Sequence, residues 1–271
     1  MAVSRPVARL IVRLARVPSS PRTAVAFTAA IAMATSYLNW AFSLVFTAIL
    51  AKEIARVVRG VDYRALGAMA FLGLGTVWAQ GLSGSAALQV ASPASSPAPV
   101  QEVIRAGGRD AGIIPLTETI FLWQSLLATF IVFIVAVGLA WLLAPTAEHA
   151  TTARDLGIEI RPLLEDPSDE PDAGPRRPGD WIEYSPVFTV ALVVLGVWYL
   201  ARYFAAAEGN PITALDLNTV NLVLMLLALG LHWRPARMVD AVRRGAPAAA
   251  GVLLQFPFYG GIFGMIVYTG L

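Results

Sequence analysis

Six stretches of this chain carry no charged side chain: residues 23–51, 65–101, 119–145, 184–201, 217–233 and 245–271. A hydrocarbon core about 30 Å thick takes roughly 20 apolar residues of helix to cross, and several of these stretches reach or exceed that length. In lipid every backbone N–H and C=O must be satisfied inside the protein, so runs of this kind read as helices. The chain is 57% hydrophobic and 14% charged, with a mean hydropathy of +0.65, well outside the range of soluble domains. The expected fold is all-α: a polytopic membrane protein with transmembrane helices, two candidate re-entrant helical hairpins and a discontinuous helix.

The hairpins and the discontinuity are read from stretches that interrupt their own pattern. The last run breaks at Gln255-Phe256-Pro257-Phe258-Tyr259-Gly260-Gly261. Pro and paired Gly at membrane depth are tolerated where the backbone is buried or lines a polar cavity, so such a segment points to a binding site. The second run is regular from Leu66 to Trp78 and then places Gln80-Gly81-Leu82-Ser83-Gly84-Ser85 where a lipid-facing helix needs apolar residues. That composition predicts an unwound segment; tight helix packing is the alternative use of the same small residues. The first run holds Asn39-Trp40 near its middle, and both its flanks are basic: residues 1–22 contain five arginines, and 52–64 contain four basic residues against two acids. Basic flanks favour the cytoplasm. Two half-helices that turn at Asn39-Trp40 and return to one face satisfy both flanks; one long, tilted helix with a buried Asn is the alternative.

This pattern predicts a first membrane half, 1–145, with a basic amphipathic helix, a hairpin at 23–51, a broken helix at 65–90 and a helix at 119–144. The second half, 184–271, has helices at 185–201 and 217–232, an amphipathic stretch at 234–244 and a hairpin at 245–271. Between them, residues 146–183 hold ten acids, four arginines and Pro162, Pro167, Pro171, Pro175 and Pro178, a composition that favours an extended, mobile loop. Arg5-Pro6-Val7-Ala8-Arg9 and Arg234-Pro235-Ala236-Arg237 give the halves a faint echo, each leading through a basic stretch and a proline into an interrupted apolar run. Cysteine is absent, which excludes disulfides and thiolate chemistry. His149 and His232 stand apart from any acid pair at metal-ligand spacing, so no metal and no organic cofactor is expected. Arginines placed beside apolar runs orient a membrane protein rather than bind nucleic acid.

Six blocks carry a family resemblance. Asn39-Trp40, Lys52-Glu53-Ile54-Ala55-Arg56 with Asp62-Tyr63, Gly81-Leu82-Ser83-Gly84-Ser85, Ile114 to Phe121, Asn218-Thr219-Val220-Asn221-Leu222 and Gln255 to Ile262 resemble, in order, the bacterial short-chain fatty acid transporter family. The resemblance touches nearly the whole chain outside the acidic loop. It implies a multi-pass permease of the bacterial cytoplasmic (inner) membrane, not an enzyme, that carries small monocarboxylates such as butyrate or acetoacetate by secondary transport or symport, coupled to H⁺ or Na⁺. The expected partners are the carboxylate, the bilayer and, as one option, a second copy in a homodimer. The sequence departs from the family pattern in having Ala41 and Ser43 after Asn-Trp and Ser92-Pro93-Ala94-Ser95 after the serine block. The resemblance also implies further helices beyond both ends, so a fragment, a mis-started frame or a reduced relative is expected.

A short carboxylate offers one anionic head and a few methylenes worth about 0.8 kcal/mol each on burial, so specificity must come from the head. Half-helix N-termini supply unpaired N–H donors and a positive dipole end, which suits apolar runs without Lys or Arg. Asn39 and Ser83-Gly84-Ser85 are the expected donors on one side, with Asn218, Thr219 and Asn221 nearby and Gln255, Pro257, Tyr259 and Gly260 at a second hairpin tip. Each has a plainer alternative: Asn218-Thr219 as a helix N-cap, the serines bonded to their own helix, Trp40 and Tyr259 as interfacial or packing aromatics. Glu118 and Asp216 read either as proton-relay acids or as acids at helix N-termini. Two other functions stay open. A non-transporting membrane fragment or transporter subunit fits the length, and a rhomboid-like intramembrane serine protease fits Gly81-Leu82-Ser83-Gly84, although that reading needs a histidine base near Ser83.

Overall fold

The computed structural model describes residues 4–82, 84–165, 179–207 and 211–269, and the described residues form helices without a β-strand. Helix α1 (Arg5–Leu14) starts with Pro6 in its first turn and buries Val7, Ala8 and Ile11, lying against the next hairpin's second arm. Helix α2 (Pro21–Leu38) opens with a capping box in which the Ser20 and Thr23 side chains each accept the other's backbone amide. It stops at Asn39, whose extended backbone (φ −159°, ψ 117°) also caps α3 (Trp40–Val57).

The chain reverses at Asn39. Ser43 Oγ donates to the Ala32 carbonyl at 2.9 Å, and Thr35 Oγ1 donates to Ser43 Oγ at 2.9 Å. Residues eleven apart in one straight helix lie about 16 Å apart, so these bonds require a hairpin rather than one tilted helix. Each arm has 18 residues, about 27 Å of helix, and is longer than the half-helices expected from the apolar run. The difference arises because Ser20 sets the start outside that run, while Lys52, Glu53 and Arg56 are good helix formers that carry α3 past its end.

Helix α4 (Tyr63–Thr76) runs parallel to α2 and is drawn against it by glycine. At Gly73 a β-carbon would collide with the Ala32 carbonyl and lie 2.6 Å from Ser36 Cβ. Thr47 Oγ1 of α3 reaches the Ala70 carbonyl of α4 at 3.0 Å, and Phe46, Leu50, Ile54 and Leu66 fill the space between the three helices beside Ala24, Val25 and Ala29. The predicted unwound segment follows: a 3-10 turn at Trp78–Gln80, extended backbone at Gly81 and Gly84, and a short α5 (Ser85–Val90).

Helix α6 (Ala98–Ala106) leads into a 3-10 turn at Leu116–Glu118, then α7 (Trp123–Leu142), α8 (Asp180–Tyr184), α9 (Pro186–Ala205), α10 (Leu217–His232) and α11 (Pro235–Thr269). Among the described residues α7 and α9 are each long and apolar enough to cross a membrane, and α10 with the start of α11 forms a pair bent by 111°. The bend sits at Trp233, which closes α10 in the left-handed region (φ 64°). Gly196 of α9 makes room for the Leu226 side chain of α10.

The topology sorts charge. The start of α2, the end of α3 and the start of α4 meet at one end of the bundle; Arg22 lies over Trp141 near the end of α7, and the α10–α11 junction comes in beside α1. Arg9, Arg13, Arg16, Arg22, Lys52, Arg56, Arg59, Arg64, Arg234 and Arg237 therefore gather there. The hairpin tip and the break after α4 lie at the other end.

Two expectations need correction. The run at 245–271 does not turn at Gln255 to Gly261; within the described residues it belongs to one continuous helix, α11. Residues 254–263 are exposed, so no described residue packs there to satisfy an opened backbone, and the helical ladder does so at the cost of the one bond that Pro257 cannot make. The other correction concerns the acidic loop, whose first part is docked rather than free. Buried Asp62 accepts the Thr151 amide at 2.8 Å, buried Glu53 accepts the Leu163 amide at 2.7 Å, and the Tyr63 amide donates to the Thr151 carbonyl at 2.9 Å. Composition cannot register acids elsewhere in the chain that bind a loop's backbone. Residues 166–178 lie outside the described residues.

Burial opposes the Asp62 charge, but the Thr151 and Ala65 amides and the Arg64 guanidinium outweigh it and hold this carboxyl below its ordinary range. A depressed carboxyl contributes its full stabilisation above the unfolded value, near pH 4, and loses it as the pH falls through the folded value. The Thr151 amide is therefore expected to keep the same hydrogen-exchange protection factor at pH 7 and pH 5 and to lose it only in stronger acid; a drop between pH 7 and 5 would contradict this. Gly73→Ala is expected to destabilise the detergent-solubilised protein by about 1–3 kcal/mol through overpacking. Gly75→Ala, in open space one turn face away, serves as the neutral control in the same thermal melt.

Candidate functional site

The hairpin tip and the helix break meet. A β-carbon on Gly81 would collide with the Tyr37 carbonyl and lie 2.6 Å from the Tyr37 ring, so the backbone of the break rests on the last turn of α2. Two residues on, Asn39 Oδ1 accepts the Phe42 amide at 2.8 Å. That bond fixes the side-chain amide's orientation, and its Nδ2 donates to no described residue. Gly84 bonds back to the Gly81 carbonyl at 2.9 Å, and a β-carbon there would lie 2.7 Å from the Ala79 carbonyl. Ser85 opens α5; Ser83 lies outside the described residues.

Parallel packing brings the C-terminal ends of α2 and α4 to this same place. Helix C-termini present unpaired carbonyls and the negative end of the dipole. Two buried side-chain oxygens there, Ser36 Oγ and Gln80 Oε1, have no hydrogen-bond partner among the described residues. Ser36 was not expected from sequence: one serine in an apolar run normally bonds to its own helix, and only the contact with Gly73 shows that it faces α4. Ser43 is also more than a departure from the family pattern, since it ties the two arms together, whereas the methyl of Ala41 is exposed and leaves the tip's backbone approach open.

The start of α10 joins through an apolar cluster in which Leu82 and Leu88 share contacts with Leu217 and Val220. Here Asp216 is an acid at a helix N-terminus, and Asn218-Thr219 is not the cap. Asp216 caps α10, taking both the Thr219 amide (2.8 Å) and the Thr219 hydroxyl (2.7 Å) on Oδ1, so Thr219 has spent its donor. Asn218 lines a cavity of about 210 Å³ with Asp216, Tyr199 and Tyr203, and Asn221 is exposed one turn further. Gln255, Pro257, Tyr259 and Gly260 are exposed on α11 and form no second tip. Glu118 pairs with Arg109 on the surface, and that hydrogen bond holds its carboxyl below the ordinary range; it stands ahead of α7, outside the first turn.

Nor do the histidines approach Ser83's neighbours. His149 bonds Thr146 at 3.0 Å in the docked loop, and His232 ends α10, whose other end meets α5 about 22 Å away. No cluster of three metal-ligating side chains occurs among the described residues.

Two apolar helices of spanning length, with a helical hairpin and a broken helix whose interruptions meet, define a helical membrane protein. The family model described as "Short chain fatty acid transporter" matches residues 1–271, so the chain belongs to the short chain fatty acid transporter family. It is 32% identical over its whole length to a protein of Escherichia coli and 28% identical to one of Haemophilus influenzae, both bearing the name "Putative short-chain fatty acid transporter". It spans 57% and 58% of their lengths. No solved structure matches the chain. Membership of a transporter family favours neither the protease reading nor that of a bystander fragment.

Proposed function

We propose that this chain supplies the first hairpin and first broken helix of a cation-coupled secondary transporter for short-chain monocarboxylates, of the size of butyrate or acetoacetate, in the bacterial inner membrane. The observation that carries this reading is the contact of the Asn39 tip with the Gly81–Gly84 break. The unspent Asn39 Nδ2 and the Ala41 amide in the first turn of α3 give a carboxylate uncharged donors at a positive dipole end. Beside them, the convergent C-termini of α2 and α4, with the Ser36 and Gln80 oxygens, suit a monovalent coupling cation, so that anion and cation neutralise each other. Gly84 stands on the substrate side of this reading. Asn218 and Asn221 are placed at its margin.

In this reading the basic end is cytoplasmic and the hairpin is re-entrant, its 27 Å arms carrying the tip most of the way through the hydrocarbon. Single cysteines at Lys52 and Arg13, free of native background, are then expected to label from the same, cytoplasmic side; labelling from opposite sides excludes the hairpin topology. For transport, the gene product in proteoliposomes is expected to take up labelled butyrate under an imposed H⁺ or Na⁺ gradient. Asn39→Ala should reduce uptake at least 10-fold at unchanged membrane level, and Ser36→Ala should raise the cation concentration needed for half-maximal uptake. Absence of uptake under both gradients by the longest in-frame product overturns the proposal.

A further inference from the structure

The arginines of α1 are arranged rather than merely numerous. At 100° per residue, Arg9 and Arg13 share one face of the helix, and Arg16 extends it in the turn that follows, where its amide bonds the Arg13 carbonyl at 3.2 Å. All three are exposed and have no carboxylate partner among the described residues. The opposite face, Val7, Ile11 and Ala15, is buried in the core it shares with α3. Leu10 and Val17, 48% and 60% exposed, flank the arginines. An exposed face that mixes arginine with aliphatic side chains suits the boundary between headgroups and acyl chains better than water. Its neighbours agree: the α10–α11 junction beside α1 adds Arg234 and Arg237 and exposes Trp233, an aromatic of the kind enriched at membrane interfaces.

We propose that the outer face of α1, with Arg9, Arg13 and Arg16 flanked by Leu10 and Val17, is a docking surface for anionic phospholipid headgroups. The helix then lies in the membrane plane, and since its inner face packs on α3, it anchors the base of the hairpin to the lipid. Guanidinium groups spaced along one helical face meet successive phosphates of a charged leaflet, while Leu10 and Val17 enter the acyl boundary. This surface is independent of what the protein carries.

The test uses the full chain in nanodiscs with an environment-sensitive fluorophore on a single cysteine at Val17. Emission is expected to shift to the blue in discs of phosphatidylcholine with 30% phosphatidylglycerol relative to phosphatidylcholine alone, and to revert at high salt. Arg9→Gln/Arg13→Gln/Arg16→Gln should abolish the difference between lipids, whereas the triple Lys variant should keep most of it, which separates lost charge from lost folding. In detergent, with phosphatidylglycerol titrated in and read by the same probe, the Gln variant should bind about 100-fold more weakly, at roughly 5-fold per arginine. Equal emission in both lipids, insensitivity to the Gln substitutions, or reproduction of the shift by inorganic phosphate in phosphatidylcholine discs overturns the proposal.

Discussion

The contact between α2 and α4 is made at backbone distance, and the rest of the arrangement depends on it. In lipid there is no hydrophobic force to press helices together, because the acyl chains are as apolar as leucine; close packing and hydrogen bonds must do so instead. Gly73 admits the Ala32 carbonyl and Ser36, and two turns on Gly81 admits Tyr37. These contacts align the two helices in parallel, so that the tip at Asn39 and the break after Gln80 arrive together. Glycines without that duty stand in open space, as Gly67 and Gly75 of the same helix do. Parallel alignment also concentrates two helix C-termini, an N-terminus and an unwound segment in one small region. Helix ends are where backbone groups lack partners, and the protein has collected them.

Much of this was legible because local chemistry and tertiary role coincide. Asn39 is a strong N-cap inside an apolar run, and the bases on both flanks favour a return to one side; these made the hairpin one of two readings, and the bonds of Ser43 to α2 decide for it over one tilted helix. Gln80 to Ser85 reads as a break because no lipid-facing helix tolerates that composition, and the break is present. The α10 start was legible down to its cap, but the cap is Asp216 rather than Asn218-Thr219. What escaped depends on neighbours. Ser36 and Ser43 look alike in sequence, yet one has no hydrogen-bond partner among the described residues and the other joins two helices. The pattern at Gln255 to Gly261 resembles that of a tip, but a proline and two glycines only permit a turn. Where residues 254–263 meet no packing partner, the helix continues.

The docked loop shows the same dependence from the other side. In the sequence Asp62 and Glu53 count only as the two acids of a basic flank; in the structure each is 2% exposed and bonded to a backbone amide of residues 146–165. A buried carboxylate is costly unless its lone pairs are met; here Arg56 and Arg64 supply counter-charge and the loop supplies amides. The loop thus completes two acids that would otherwise be under-bonded, which is why a segment rich in charge and proline can still take a fixed place. It also ties the bases of α3 and α4 to the chain leaving α7, so the hairpin is held at its base while its tip bears the unpaired groups.

Charge on the tip side is arranged differently from the basic end. Arg109 is neutralised by Glu118, and Asp216 is engaged by Thr219 and the α10 dipole. The residues of the tip and of the break themselves carry no cationic side chain, so an anion at Asn39 is met there by amides and helix dipoles. A cationic side chain in a dry site would hold a carboxylate through a charge-assisted pair whose release is slow. Under the proposed function, uncharged donors would hold it more weakly, and their strength would depend on whether a cation occupies the adjacent C-terminal ends. Under the same proposal, binding would be tight with both ions present and loose when either is missing, and coupling would rest on that difference: a ligand shifts a conformational equilibrium only through differential affinity for the two states.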